Sequence, residues 1–212
     1  RQYAEKHNFE KAALNRDIIQ NLKSALTSRR SFSRAAISPD LKAEDPVLDL
    51  QTRLKLEFLP KIIECFDNSN FQGTHAVASM VRFVDGKPDN KNYRHFNIKT
   101  VEGPDDYASM REIVHRRYSR LLREERPLPD LILIDGGKGQ LSSAITPLDA
   151  LGLEAIPVYG LAKQHEILFE RGSSDGIILP RDCPGLKMLQ HLRDESHRFA
   201  ITFHRKQLQK QV

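Results

Sequence analysis

The chain has no tryptophan and only two cysteines, Cys65 and Cys183. They lie far apart and lack the short spacing of thiolate ligands, which excludes a cysteine metal site and a disulfide framework. Buried thiols in a reducing compartment are the expectation. No apolar run approaches the roughly 20 residues of a membrane span. The N-terminus lacks the charged and apolar blocks of a signal peptide, and the chain opens without methionine, as a fragment would. A soluble, cytoplasmic protein is expected. No internal repeat is visible.

What is present suffices for one domain with a true core and an appendage: 212 residues, 39% hydrophobic and 29% charged. Lysine and arginine number 33 against 28 aspartates and glutamates, a formal net charge of +5. That excess suits a polyanionic partner without demanding one.

Residues 1–27 have helical spacing, with Leu14, Ile18, Leu22 and Ala25 recurring between charges and Asn8 placed to cap. The segment is too small to bury its own stripe, so it needs a partner surface. Residues 28–46, rich in serine, proline and charge, read as a linker. The main domain runs over 47–212 and opens with a short helix within 47–59. Three strand candidates follow, "KIIECFD", "HAVASMVRFVDGKP" and "NYRHFNIKT", joined as an antiparallel meander. Residues 105–125 form a long amphipathic helix. "DLILID" is uniform enough for a strand buried on both faces. A helix over 139–151, short strands near "IPVYGLA", "EILFER" and "GIILP", and a final helix from 185 to 207 complete the pattern. Three antiparallel strands, a helix and a buried parallel strand give the order of a ribonuclease H-like mixed sheet, although a generic α/β domain would read similarly.

Two carboxylates stand at strand ends. Asp135 closes "LILID" and is followed by "GGKGQ". A nucleotide P-loop is excluded by spacing, since Gly139 follows Lys138 and no Ser or Thr supplies a magnesium-binding hydroxyl. The acid either meets a ligand where the strand leaves the core or merely caps the turn. Asp67 shares a strand face with Ile63 and Cys65, where a charge is costly unless paired or bound to a cation. Two such acids could converge on a divalent ion, and hard oxygen ligands suit magnesium or manganese. In "RDESHRFAITFHRK", Asp194 and His197 share a helix face at i, i+3, and Arg193 joins at i, i+4. Arg198, His204, Arg205 and Lys206 add positive charge. Surface ion pairs would produce the same composition.

Taken together, "IECFDNSN", "YRHFNIKTVEGPDDYASM", "LILIDGGKGQL", "LAK" and "RDESHRFAITFHRK" resemble, in order and spacing, the C-terminal nuclease half of the UvrC family of bacterial excinucleases. The resemblance implies a ribonuclease H-like endonuclease of nucleotide excision repair, cutting damaged double-stranded DNA 5′ to the lesion. It implies a catalytic triad at Asp67, Asp135 and His197 holding Mg2+ or Mn2+, and a further functional acid at Asp106. Asp106 also suits a plain helix N-terminal role. Lys138 and the stretch from Arg198 through His204, Arg205 and Lys206 are the expected phosphate contacts. Residues 1–27 resemble the family's UVR helical hairpin, which implies docking to the helicase-like protein UvrB.

The chain also departs from the family pattern. No GIY-YIG nuclease and no helix-hairpin-helix module are visible, the spacer 28–46 is short, and Asn70 stands where many members carry histidine. A non-catalytic module that docks UvrB and binds DNA is therefore the alternative, and an RNA-directed nuclease of the same fold is a third reading.

Overall fold

A computed structural model describes residues 45–69, 77–101, 103, 105–163 and 165–209, with backbone alone at 69, 77 and 203–209. The expected hairpin over 1–27, nearly all of the linker, and Asn70 lie outside the described residues.

Helix α1 spans Pro46–Leu54. Asp45 caps it by accepting from Val47 N at 2.8 Å, and Pro46, which has no N–H to leave unsatisfied, takes the first turn. Strand β1 (Ile62–Ser69) pairs antiparallel with β2 (Val77–Val84) along its whole length. A two-residue turn, Asp85–Gly86, with both φ values positive, folds β2 back onto β3 (Lys87–Pro88). A 3-10 turn at Asn90–Asn92 leads into β4 (Arg94–Asn97), which lies on the same edge of β2 nearer its start.

Helix α2 (Asp106–Arg123) then crosses to β5 (Leu131–Asp135), which runs parallel to β1 in the register Cys65↔Leu133. All five residues of β5 are buried, the pattern of a central strand covered on both faces. Helix α3 (Lys138–Ala150) returns to β6 (Val158–Ala162), again parallel. Strands β7 (Ile167–Glu170) and β8 (Gly176–Ile178) extend the sheet antiparallel, and α4 (Pro184–Gln209) closes the fold. The strand order is β3-β2-β1-β5-β6-β7-β8, with β4 beside β2. The meander, the long helix and the parallel buried strand are therefore present in the expected order.

Each face of the sheet has its own core. Ile63, Cys65, Val81 and Leu133 pack against Leu186, Leu189 and Leu192 of α4 and Leu50 of α1. Phe66, Met80, Ile132 and Ile134 pack against α2 and α3 through Met110, Ile113, Val114 and Leu141. On this second face Glu64, almost fully buried, pairs with Arg117 at 2.5 Å and accepts from Tyr118 Oη at 3.1 Å. The turn after β5 approaches β6 closely: a Cβ on Gly160 would stand 2.8 Å from the Gly136 carbonyl oxygen. Among the described residues no helix is long and apolar enough to cross a membrane.

Candidate active site

The register of two parallel strands builds the site. Phe66 of β1 is paired with Ile134 of β5, so the acids that follow, Asp67 and Asp135, stand side by side where both strands leave the core. Strand alternation turns both toward the face covered by α4, the side on which Cys65 and Leu133 are packed. From that helix His197 brings Nδ1 to 3.2 Å from Asp67 Oδ2. One ligand atom from each of Asp67, Asp135 and His197 lies within 4.8 Å of the others. No other such group of three or more His, Cys, Asp or Glu residues occurs among the described residues.

Burial is unequal. The Asp135 side chain is inaccessible, Asp67 is nearly so, and the His197 ring is 48% exposed. Neither oxygen of Asp135 has a hydrogen-bond partner. Its pKa is pushed up to about 6, chiefly by burial and secondly by the charge of Asp67. The Lys163 ammonium, 3.4 Å from Oδ2, and more distantly Arg193 pull the other way. Lys163 is 64% exposed, so water screens much of its effect.

A buried carboxylate whose one close donor is a solvent-screened lysine costs free energy unless something else satisfies it. Two adjacent acids and an imidazole form a donor set that a magnesium or manganese ion would satisfy. The residues present thus fit a divalent cation. Asp135, Lys163, Glu166, Arg193, Asp194 and His197 line a cavity of about 230 Å³ beside them. Glu166 and Arg193 close one wall with an ion pair of 2.7 Å.

Residues 51–201 match the family described as the UvrC RNAse H endonuclease domain. The chain belongs to that family. It is 56% identical over 170 residues to the UvrABC system protein C of Flavobacterium johnsoniae, covering 80% of this chain and 28% of the relative. It is 55% identical over 168 residues to the protein of the same name from Chlorobaculum tepidum, covering 79% and 27%. The chain thus spans less than a third of the curated UvrC relatives it matches. A solved DNA complex of Ciona intestinalis endonuclease V is similar at a TM-score of 0.36 and 19% identity over 58% of each chain. A superposition that loose adds no argument.

The other residues singled out in the UvrC-like blocks fall in different places. Asp106 is the first residue of α2, and Asp105 before it caps the helix by accepting from Ala108 N at 2.9 Å. Asn68, next to Asp67, donates through Nδ2 to the Asp106 carbonyl at 3.0 Å and lies 3.5 Å from its carboxylate. Asp106 therefore adjoins the site through Asn68, and lines a separate cleft of about 490 Å³ with Tyr107 and Gly139. Lys138 donates to the Ser174 carbonyl at 2.7 Å and stands 4.9 Å over the Phe169 ring, outside the residues lining the cavity beside the triad. Arg198 makes a two-pronged pair with Glu195 at 2.7 Å. His204, Arg205 and Lys206 continue α4, and their side chains lie outside the described residues.

Sequence reasoning gives no role to Lys163, although "LAK" is among the UvrC-like blocks. The available signal is the apolar run of β6, which ends in a lone cation as β5 ends in a lone acid. Only the parallel register of β5 and β6 puts those two ends together.

Proposed function

We propose that this domain is a divalent-cation-dependent DNA endonuclease in which Asp67, Asp135 and His197 are the ligands of Mg2+ or Mn2+. The observation that carries the reading is Asp135: a buried carboxylate met only by the exposed Lys163 ammonium at 3.4 Å, beside a second acid and within 4.8 Å of an imidazole nitrogen. When bound, the cation would supply Lewis acidity, helping to ionise a water and to steady charge on the phosphate and the leaving 3′ oxygen.

The protein's own part is positioning. Asp67 and Asp135 are held by rigid neighbouring strands and need no rearrangement to converge. His197 is a neutral donor in its ligating form, so the set carries less negative charge toward a phosphodiester than three acids would. Its exposed ring and the exposed Lys163 mark the open side, and nucleic acid approaches there. Lys163 is the residue best placed to meet a phosphate oxygen while limiting repulsion from Asp135. Arg198, once released from Glu195, is a further phosphate contact in this reading, and His204, Arg205 and Lys206 are assigned to it from the sequence alone. Lys138, engaged with Ser174, would contact DNA only after releasing that carbonyl. Asp106 acts through Asn68, fixing the segment that carries Asp67.

Family membership supports the wider reading as well: incision 5′ to a lesion in damaged double-stranded DNA and a cytoplasmic setting, while docking to a UvrB-like helicase through residues 1–27, outside the matched span, rests on the hairpin-like sequence of that segment. A non-catalytic docking module would gain nothing from two adjacent buried acids compensated by one exposed lysine. The test is nicking of supercoiled DNA in manganese. Wild type nicks, while Asp67→Ala and Asp135→Ala retain DNA binding and do not nick. Nicking by either variant at the wild-type rate would overturn the assignment.

A further inference from the structure

We infer that Ser79 is a positioning residue that fixes α4 on the sheet so that His197 meets Asp67 and Asp135. The inference rests on the metal-site reading above and adds to it a residue that touches none of the three ligands' substrate-facing atoms.

The register places Ser79 directly opposite Asp67 on the antiparallel neighbour of β1. Its hydroxyl faces α4 and donates to the Ser196 carbonyl at 3.0 Å. It also lies 3.1 Å from the Ser196 hydroxyl. Ser196 immediately precedes His197. Both serines are fully buried. One arrangement of protons satisfies every group: Ser196 Oγ–H donates to Ser79 Oγ, and Ser79 Oγ–H donates to the second lone pair of a carbonyl already bonded within the helix. The thiol of Cys65, two residues before Asp67 on the same face, also engages Ser196.

Most of the remaining helix–sheet contact is apolar, through Leu186, Leu189, Leu192 and Ala200, while the Arg193–Glu166 ion pair joins the helix to the turn before β7 and not to the strands beneath it. Apolar packing fixes distance well and rotation or axial register less well, because it is not directional. A slip of one residue moves a helix by about 1.5 Å and turns it by about 100°. Either displacement would carry His197 away from a 3.2 Å contact. The serine bonds are directional and sit one residue from the imidazole on one side and opposite Asp67 on the other. Phe199 of α4, stacked on His95 at 3.8 Å between ring centroids, reinforces the same position, since His95 is the next cross-strand partner of Ser79.

The test is Mn2+ binding to the full chain without DNA, followed by the loss of the free-ion electron paramagnetic resonance signal. Loss of a residue that orients metal ligands weakens binding by about 10-fold or more, and that is the expectation for Ser79→Ala. Val114→Ala removes buried volume on the opposite face of the sheet and should bind like wild type even if it melts at a lower temperature. Should Ser79→Ala fail to fold, Ser79→Cys, close in size and a far weaker donor, carries the same comparison. Wild-type affinity in the Ser79 variant, or equal weakening in Val114→Ala, would overturn the role of Ser79 and leave the metal site standing. Absence of Mn2+ binding by wild type would overturn both, and is recognisable because no variant comparison is then needed.

Discussion

His197 Nδ1 and Asp67 Oδ2 stand 3.2 Å apart across 130 positions of sequence. One belongs to the final helix and the other to the first strand of the sheet, so the contact exists only once the whole domain has closed. Asp135 joins them from the neighbouring parallel strand. The fold thus brings two buried acids together at a cost in stability that a bound cation would offset.

That cost can be measured by titration. The pKa of Asp135 rises from 3.8 to about 6 in the fold. A folded value above the unfolded one means that the protonated acid is the form the fold favours. Its contribution to metal-free stability is full below the unfolded value and is lost as pH rises through the folded one. At about 1.4 kcal/mol per pH unit the loss is up to roughly 3 kcal/mol. In chelator, Asp135→Asn should therefore be more stable than wild type near pH 8 and indistinguishable from it near pH 4. Denaturant titrations at several pH values give the difference directly, and a difference that does not vary with pH contradicts the burial argument.

In the proposed site Lys163, 3.4 Å from Asp135, would compete with a bound cation for that carboxylate. Removing its charge in Lys163→Met should tighten Mn2+ binding several-fold while lowering the nicking rate about 10-fold or more, through loss of a phosphate contact. The two effects have opposite signs, and a purely structural lysine would move both downward. Binding and single-turnover nicking, measured on the same preparation, decide the matter.

The pair of Glu64 and Arg117 lies on the face of the sheet away from the triad. Arg117→Met leaves a buried carboxylate with only the Tyr118 hydroxyl and should cost about 3–5 kcal/mol. The double variant Glu64→Leu/Arg117→Met removes both charges and should recover most of that loss. Its nicking rate per folded molecule should match wild type. Thermal melts of the three proteins check the stability claim.

Gly160→Ala would push a methyl to 2.8 Å from the Gly136 carbonyl oxygen. The contact is with backbone, so the turn after Asp135 must move. The expected result is a loss of about 1–3 kcal/mol, accompanied by weaker Mn2+ binding because that turn follows the proposed ligand Asp135. Normal binding with normal stability would mean that the turn is softer than its packing implies.

Much of this is legible in the chain because it is local. The uniform run of Leu131 to Ile134 identifies a strand buried on both faces, and the lone acid at its end marks the site. Alternation in β1 puts Asp67 on the face of Ile63 and Cys65, where a charge demands a reason. The i, i+3 spacing of Asp194 and His197 puts both on the wall of one cavity. What escapes depends on register between distant strands. Ser79 lies 117 positions from Ser196, and no periodicity in either segment indicates their bond. Lys163 faces Asp135 only because β6 is parallel to β5. Asp106 and Lys138 sit at helix starts as their surroundings suggest, but which neighbour holds each one is set by the end of β1, which carries Asn68, and by the turn between β7 and β8, which carries Ser174.

The most direct measurement is anomalous X-ray scattering from crystals of the protein soaked in manganese. The account predicts a peak bounded by Asp67, Asp135 and His197, lost in crystals of Asp135→Asn. A peak bound elsewhere, with the three side chains unengaged, or no peak at millimolar manganese, would contradict it.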